Sequence, residues 1–211
     1  MSLIEINCDG LSKTYSGRTI FKNLSFKISS TQSLTVTGSN GSGKSTLIKV
    51  IANLINSSRG TITVSSDSTI IPRDKWFQKT GLLSPYLNLY DELTGFENLD
   101  FFYRLKSTGE DNLKDRIDNV LHRVNLYEKR NELLKNYSSG MKQKLKLAFA
   151  VLHEPEILLL DEPRSNLDKA GVDMIYEISN EQKKKGILII ATNDEDDKEL
   201  CDSILSIEDY K

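Results

Sequence analysis

The sequence lacks an excess of basic residues. Lys and Arg together number 28 against 30 Asp and Glu, which gives a formal net charge of −2. A domain that binds the phosphates of DNA or RNA usually carries a basic excess or a basic face. We therefore expect no nucleic-acid partner.

Long apolar runs are also missing. The longest, around residues 157–160 and 187–191, are far shorter than the ~18 apolar residues that a membrane-spanning helix needs. Residues 1–5 lack the basic start and apolar block of a signal peptide. These absences predict a cytoplasmic protein, and any role at a membrane then requires a partner that spans it.

Cysteine and histidine are scarce, with two of each. Cys8 and Cys201 stand far apart in strand-like segments, and we expect two reduced thiols in the core rather than a disulfide. His122 lies within an amphipathic helical pattern and His153 in a turn before an apolar run. Both histidines are expected to have structural roles.

The pattern of the 211 residues is that of one α/β domain with a helical insertion. Residues 3–9 and 21–28 alternate apolar and polar side chains as half-exposed strands do. The continuous apolar runs at 157–160 and 187–191 are typical of a parallel sheet covered on both faces. We predict a single domain in which residues 1–84 and 151–211 form the α/β core and about 85–150 form the helical part.

A phosphate-binding loop joins a predicted strand at 34–37 to a helix that begins at Lys44. Its glycines allow successive backbone N–H groups to point into one concavity at the helix N-terminus. Lys44 is placed to reach the β- and γ-phosphates, and the Ser45 hydroxyl is an oxygen ligand for Mg²⁺. The loop consists of Gly38, Ser39, Asn40, Gly41, Ser42, Gly43, Lys44, Ser45 and Thr46.

Two acidic residues, Asp161 and Glu162, end the apolar run 157–160. Ligands of doubly wound sheets bind at the carboxyl ends of the strands, so this pair is predicted to face the phosphate-binding loop. Asp161 is then a candidate for holding Mg²⁺, and Glu162 for general base toward the attacking water. The alternative is that the two acids only begin a turn before Pro163.

Further segments resemble the nucleotide-binding subunit of ABC transporters. Residues 136–144 are similar to the signature motif of that family, with Ser138, Ser139 and Gly140 at its centre. Residues 165–168 resemble its D-loop, which ends here in Asp168, and residues 11–15 resemble its A-loop, whose adenine-stacking aromatic is Tyr15. The resemblance extends over residues 3–207 in the same order and with similar spacing.

The resemblance implies a fold and a mechanism. The fold is a P-loop NTPase (RecA-like) core sheet with an N-terminal antiparallel β subdomain and an inserted helical subdomain. ATP with Mg²⁺ binds between the P-loop of one subunit and the signature of a second copy, or of a paralogous subunit, in a head-to-tail dimer. Hydrolysis then drives separate transmembrane permease subunits from the cytoplasmic face of the membrane.

Two positions depart from the family pattern. Pro85 stands where the glutamine of the Q-loop is usual, and Ser84 compensates for it only weakly. Asn193 replaces the switch histidine; it can bind the γ-phosphate but cannot carry a proton. These departures leave two alternatives open, a slow ATPase and a nucleotide switch with little turnover.

The alternative to the transporter hypothesis is a non-transport ABC regulator of a translation or repair complex. Such regulators usually have two nucleotide domains or long coiled-coil insertions, which this sequence lacks. Residues 90–99 are reminiscent of exporter-type subunits. Neither the transported substrate nor its direction follows from the motifs.

Overall fold

The computed structural model describes residues 3–106 and 112–211. Strands and helices alternate along most of this length. In chain order the elements are β1 (Ile4–Tyr15), β2 (Arg18–Ser29), β3 (Ser33–Thr37), α1 (Lys44–Ile51), β4 (Arg59–Ser66), β5 (Thr69–Ile70), α2 (Trp76–Lys79), β6 (Thr80–Leu83), α3 (Gly95–Lys106), α4 (Leu113–Arg123), α5 (Ser139–Val151), β7 (Ile157–Asp161), α6 (Lys169–Lys183), β8 (Ile187–Ala191), α7 (Glu195–Glu199) and β9 (Ser203–Ser206).

The strands form two sheets. The N-terminal sheet is antiparallel with the order β2-β1-β4-β5, and the second sheet is parallel with the order β6-β7-β8-β3-β9. The predicted combination of an antiparallel β subdomain and a parallel core sheet is confirmed. Because β3 lies between β8 and β9, the loop after β3 is flanked at the carboxyl edge by the residues that follow these two strands.

The parallel sheet is covered on both faces, as its apolar runs predict. In β7, Ile157 and Leu159 pack into a core shared with α1 and the antiparallel sheet. Leu158 and Leu160 point the other way, into a core shared with α3, α4, α5 and α6. Each of these side chains is almost completely buried, which contributes about 1.5–3 kcal/mol per residue.

A capping box begins the helical part. The Thr94 backbone N–H donates to Glu97 Oε2 at 2.8 Å, and the Glu97 N–H donates back to Thr94 Oγ1 at 3.1 Å. This exchange satisfies two N–H groups that the first turn of α3 leaves without helical partners. None of the helices within residues 3–106 and 112–211 is long and apolar enough to span a bilayer.

Some local predictions were wrong or only approximate. Cys201 lies in a bend before β9, not in a strand. At this bend the Asp202 N–H donates to the side-chain oxygen of Ser33, and the Asp202 carboxylate accepts from the Ser33 N–H. The helix predicted to begin at Lys44 does begin there and ends at Ile51. His122 and His153 stack on Tyr127 and Tyr103, with ring centroids 3.7 and 4.3 Å apart.

Candidate nucleotide-binding site

The loop between β3 and α1 has a backbone that only glycine adopts readily. Gly38 and Gly43 have φ values of 144° and 117°. A Cβ at Gly38 would lie 2.7 Å from Ser42 Oγ, and one at Gly43 would lie 2.5 Å from Ile20 Cγ2. Both positions therefore exclude a side chain through backbone strain and through contact.

The inside of this loop is suited to an anion. α1 begins at Lys44 after Gly43, which provides no side-chain cap, so the first N–H groups of the helix stay available. A Cβ at Gly41 would meet nothing within 4 Å. Within the described ranges, the buried Ser42 Oγ has no hydrogen-bond partner. An open cradle with unpaired donors at a helix N-terminus fits a phosphate group.

Lys44 lies at the centre of the site and is almost completely buried. Its Nζ donates to the Gly38 carbonyl at 2.8 Å and to Asn193 Oδ1 at 2.7 Å. Glu162 Oε1 lies 3.5 Å from the same nitrogen. The structure therefore brings together three residues that the sequence singled out in separate motifs.

Strand register explains this convergence. β8 pairs with β3 on one side and β7 on the other, so Val36, Ala191 and Asp161 form one row across three strands. The residues that follow these strands emerge together at the carboxyl edge of the sheet, where ligands of open α/β sheets bind.

Ser45 and Asp161 meet directly at this edge. The Ser45 hydroxyl donates to Asp161 Oδ1 at 2.9 Å, and Asp161 is fully buried. Burial raises the pKa of Asp161, while the bond from Ser45 opposes that rise. These two oxygen groups fit Mg²⁺ chemistry. In the described part of the chain, no cluster of three or more His, Cys, Asp or Glu side chains offers a complete metal site, so such a cation would need further ligands from phosphate and water.

Glu162 is held in an uncommon backbone conformation. Its φ is 48°, and its N–H donates to the Ala191 carbonyl at 2.8 Å. A non-glycine residue in this region is strained by about 1–3 kcal/mol and often lies at a functional site. In this conformation the half-exposed carboxylate of Glu162 faces Lys44, with Oε1 3.5 Å from Nζ.

Asn193 bridges two residues of the loop. Its Oδ1 accepts from Lys44, and its Nδ2 donates to Asn40 Oδ1. Both ends of the amide are therefore occupied by the loop that surrounds the phosphate position. A neutral amide at this position can orient Lys44 but cannot transfer a proton.

The segment after β6 approaches Asp161 from the other side. The buried Ser84 hydroxyl lies 3.5 Å from Asp161 Oδ2, which is a weak hydrogen bond. The Pro85 carbonyl accepts from Lys146 Nζ of α5 at 3.2 Å. The hydroxyl of Ser84, not Pro85, is therefore the group that this segment presents to the acidic pair.

The signature residues lie at the start of α5. Ser138 caps this helix by accepting from the Met141 N–H at 3.2 Å. Ser139 is the first residue of α5, and a Cβ at Gly140 would lie 2.9 Å from the Asn166 carbonyl. Glycine at position 140 therefore allows residues 165–168 to lie against the first turn of α5.

Asp168 lies beside this group, not beside Lys44. It caps α6 by accepting from the Gly171 N–H at 2.9 Å, and that bond lowers the pKa of Asp168. Among the described residues, no hydrogen bond or ion pair joins the phosphate-binding loop to Asp168 or to residues 138–140. Within one chain the predicted site is thus divided into two groups.

Tyr15 ends β1 with 46% of its surface exposed. The Nζ of Lys13 lies 4.7 Å from the centroid of its ring. An exposed aromatic face leaves Tyr15 available for stacking with a base.

Thr46 ends the phosphate-binding loop and lies half-buried in the first turn of α1.

Sequence reasoning missed Glu208, which follows β9. Its Oε1 accepts from the Ser39 N–H at 3.0 Å and from Ser39 Oγ at 2.6 Å. These bonds lower the pKa of Glu208. The missing information was the place of β9 beside β3, which brings the end of the chain to the phosphate-binding loop.

Known proteins resemble this chain over most of its length. The ABC transporter family matches residues 21–165. The ABC transporter ATP-binding protein YdbJ of Bacillus subtilis is 32% identical over 207 residues, covering 96% of this chain and 66% of that protein. The ABC transporter ATP-binding protein NatA of Bacillus subtilis is 33% identical over 189 residues, covering 88% of this chain and 77% of that protein.

A solved structure of the ATP-binding subunit of an ABC transporter superposes with a TM-score of 0.84 at 27% identity, covering 95% of this chain and 85% of that one. This chain spans just under two thirds of the length of YdbJ. Motifs, fold and site geometry agree with these likenesses, and the chain belongs to the ABC transporter family, in its ATP-binding part.

Proposed function

We propose that this chain binds and hydrolyses ATP and thereby powers a membrane transporter whose spanning subunits are separate polypeptides. The observation that supports this most is the convergence of Lys44, Glu162 and Asn193 at the carboxyl edge of the parallel sheet. An anion cradle, a cation and a carboxylate base in one place are the parts that phosphoryl transfer to water requires.

ATP would occupy the cradle of residues 38–46. Lys44 would exchange the Gly38 carbonyl for the β- and γ-phosphate oxygens, while Asn193 Oδ1 continues to accept from its ammonium group. Tyr15 would stack on the adenine. Glu162 would accept a proton from the attacking water, because it is the only carboxylate within 4 Å of Lys44 Nζ among the described residues.

Mg²⁺ would be held by Ser45 and, directly or through water, by Asp161. When bound, it would neutralise charge on the phosphate oxygens. Ser84 can orient the Asp161 carboxylate through Oδ2 while Ser45 binds Oδ1. A bound cation would stabilise the charged form of Asp161, whose pKa is raised by burial and by the charge of Glu162.

The division of the site into two groups supports a head-to-tail dimer. Ser138, Ser139, Gly140 and Asp168 surround a cleft at the start of α5, separate from the phosphate-binding loop. A second copy, or a paralogous subunit, would bring this helix N-terminus to the γ-phosphate and complete the anion site. ATP would then hold the dimer together, and hydrolysis would loosen it.

Within this proposal, residues 1–84 and 151–211 form the core and about 85–150 the signature subdomain, of which 107–111 lie outside the described residues. The subunit would work on the cytoplasmic face of the membrane through its permease partner. A nucleotide switch with low turnover is the second candidate function. It is favoured by Asn193, which stands in place of a histidine that can carry a proton, and by Pro85, which stands in place of a glutamine that can bind water.

The first test is nucleotide binding by calorimetry. Lys44→Ala should weaken ATP binding about 10- to 100-fold, since hydrogen bonds to charged groups contribute ~1.5–3 kcal/mol. Lys27→Ala removes a surface lysine that pairs with Glu5 and serves as the control. Equal ATP affinity in wild type and Lys44→Ala would contradict the phosphate-site assignment.

The second test follows hydrolysis and dimerisation. Glu162→Gln should bind ATP normally, lose about 10²–10⁴-fold in hydrolysis rate, and elute as a dimer with ATP and Mg²⁺ in gel filtration. Wild type should hydrolyse ATP measurably. Equal background rates in wild type and Glu162→Gln would favour the switch.

A further inference from the structure

Arg164 contacts three carboxylates at the start of α7. Its Nη1 lies 2.5 Å from Asp194 Oδ1, 3.3 Å from Asp196 Oδ2 and 3.7 Å from Asp197 Oδ1. Arg164 follows Glu162 by two positions in the turn after β7. One cation therefore links the turn of the proposed base to the segment that follows β8.

The carboxylates that Arg164 contacts hold the backbone on both sides of Asn193. Thr192 Oγ1 donates to Asp197 Oδ2 at 2.7 Å and accepts from the Asp194 N–H at 3.0 Å. Asp194 also contacts Arg164 directly. Thr192 and Asp194 are thus tied to one network, and Asn193 between them presents its amide to the phosphate-binding loop.

Electrostatics makes the network depend on Arg164. Asp197 is fully buried, and within the described ranges its Oδ1 has no hydrogen-bond partner. Burial raises the pKa of Asp197, and the charges of Asp194 and Glu162 act in the same direction. A buried carboxylate that loses its cation is strongly destabilised in its charged form, so removal of Arg164 should displace this segment.

A second link joins the same two segments. The strained Glu162 donates its N–H to the carbonyl of Ala191, one residue before Thr192. This backbone bond extends the pairing of β7 with β8 by one residue and fixes the two segments on the near side of Asn193. Arg164 provides a second point of attachment on the far side of Asn193.

We propose that Arg164 is a positioning residue for hydrolysis. It holds the turn of Glu162 and the segment of Asn193 in one arrangement, so that both side chains face the γ-phosphate together. The inference rests on the proposed ATPase function. Arg164 itself contacts neither Lys44 nor the phosphate-binding loop among the contacts of the described residues, so its effect should appear in turnover and not in ATP affinity.

The experiment compares Arg164→Ala and Arg164→Lys with wild type, using ATP affinity, single-turnover hydrolysis and thermal unfolding. Arg164→Ala should lower the hydrolysis rate about 10- to 100-fold, as misplacement of a reacting group by ~1 Å does, and should leave ATP affinity within about threefold. Arg164→Lys should recover part of the rate because it keeps the charge. Arg104→Ala, which removes a surface ion pair with Asp100 in α3, is the matched control.

A double-mutant cycle tests whether Arg164 acts through Asn193. In the Asn193→Ala background, Arg164→Ala should lower the rate by a smaller factor than it does in wild type, because only the turn of Glu162 is left to be displaced and residues that share a network are not additive. An equal loss in both backgrounds would overturn the proposal, as would a loss confined to ATP affinity. If Arg164→Ala does not fold, Arg164→Lys against Arg164→Gln gives the same comparison, and equal rates in these two would overturn it.

Absence of hydrolysis in wild type has a different meaning. That result contradicts the ATPase function and with it this inference. Normal hydrolysis in wild type together with a normal rate in Arg164→Ala contradicts the inference alone.

Discussion

The Ser45 hydroxyl donates a hydrogen bond of 2.9 Å to Oδ1 of Asp161, which joins the first turn of α1 to the end of β7. In the proposed Mg²⁺ site, this hydroxyl and this carboxylate would provide two of the roughly six oxygen ligands. The bond also orients the buried carboxylate before any cation binds. Removal of either partner should therefore affect the metal requirement before it affects the fold.

Ser45→Ala and Asp161→Asn should each raise the Mg²⁺ concentration for half-maximal ATP hydrolysis by at least about tenfold, the usual cost of a lost group around a metal. ATP affinity in the absence of Mg²⁺ should change little, because Lys44 and the loop backbone are intact. The measurement is a magnesium titration of steady-state hydrolysis. Asp209→Asn, at an exposed position, is the control. An unchanged titration in both site variants would place the metal elsewhere.

Tyr15 gives a test of base recognition. Tyr15→Ala should weaken ATP binding by roughly 1–3 kcal/mol, the range for stacking of a base on an aromatic ring. Tyr15→Phe and Tyr15→Trp should retain wild-type affinity because each keeps an aromatic face. Calorimetric titration of all three variants measures the effect. Equal affinities across the series would mean that the adenine lies away from Tyr15.

The residues at the strand ends of the site could be predicted from the sequence, but the residues that contact them could not. The loop 38–46 and the pair Asp161 and Glu162 are recognisable because each follows an apolar run, and a parallel sheet brings such ends together. Arg164 and Glu208 are different. Their partners lie 30 or more residues away, at residues 194–197 and at Ser39, and only the strand order β7-β8-β3-β9 shows that these segments meet.

The loop formed by residues 88–94 shows the same limit in the helical part. Asn98 is completely buried, accepts from the Tyr90 N–H at 2.8 Å and donates to the carbonyls of Tyr90 and Thr94 at 3.0 and 2.9 Å. In the sequence this residue is one polar position within a helix. Its role in satisfying the buried backbone of the preceding loop follows only from the folded path of the chain.

Cys8 gives a prediction about pH. Burial in β1 raises the pKa of its thiol from 9.0 to about 12. The unfolded chain loses this proton at lower pH than the folded chain does. The protonated thiol therefore contributes its full stabilisation of the fold below pH 9, and this contribution is lost as pH rises toward 12. Between these values the free energy of unfolding of wild type should fall by about 1.4 kcal/mol per pH unit relative to that of Cys8→Ala.

Urea unfolding of both proteins at pH 8 and pH 10 measures this difference. Cys8→Ala should be the less stable variant at pH 8, because it leaves a cavity in the core. The gap between the two free energies of unfolding should narrow at pH 10. Iodoacetamide should label Cys8 only after unfolding, and rapid labelling of Cys8 in the native protein would contradict its burial.

The last prediction concerns Asn193, whose amide accepts from Lys44 and donates to Asn40. Asn193→Ala should lower single-turnover hydrolysis about 10²-fold or more, the usual effect of removing one donor that stabilises developing charge, and it should weaken ATP binding slightly because Lys44 loses an acceptor. Asn193→His restores a group that can carry a positive charge in the transition state. A charged donor is roughly twice as strong as a neutral one, so Asn193→His should hydrolyse ATP faster than wild type. Glu162→Gln should still abolish hydrolysis when it is combined with Asn193→His. A rate that neither substitution changes would mean that Asn193 does not reach the γ-phosphate, and a rise in Asn193→His that survives Glu162→Gln would mean that the new histidine acts as the base.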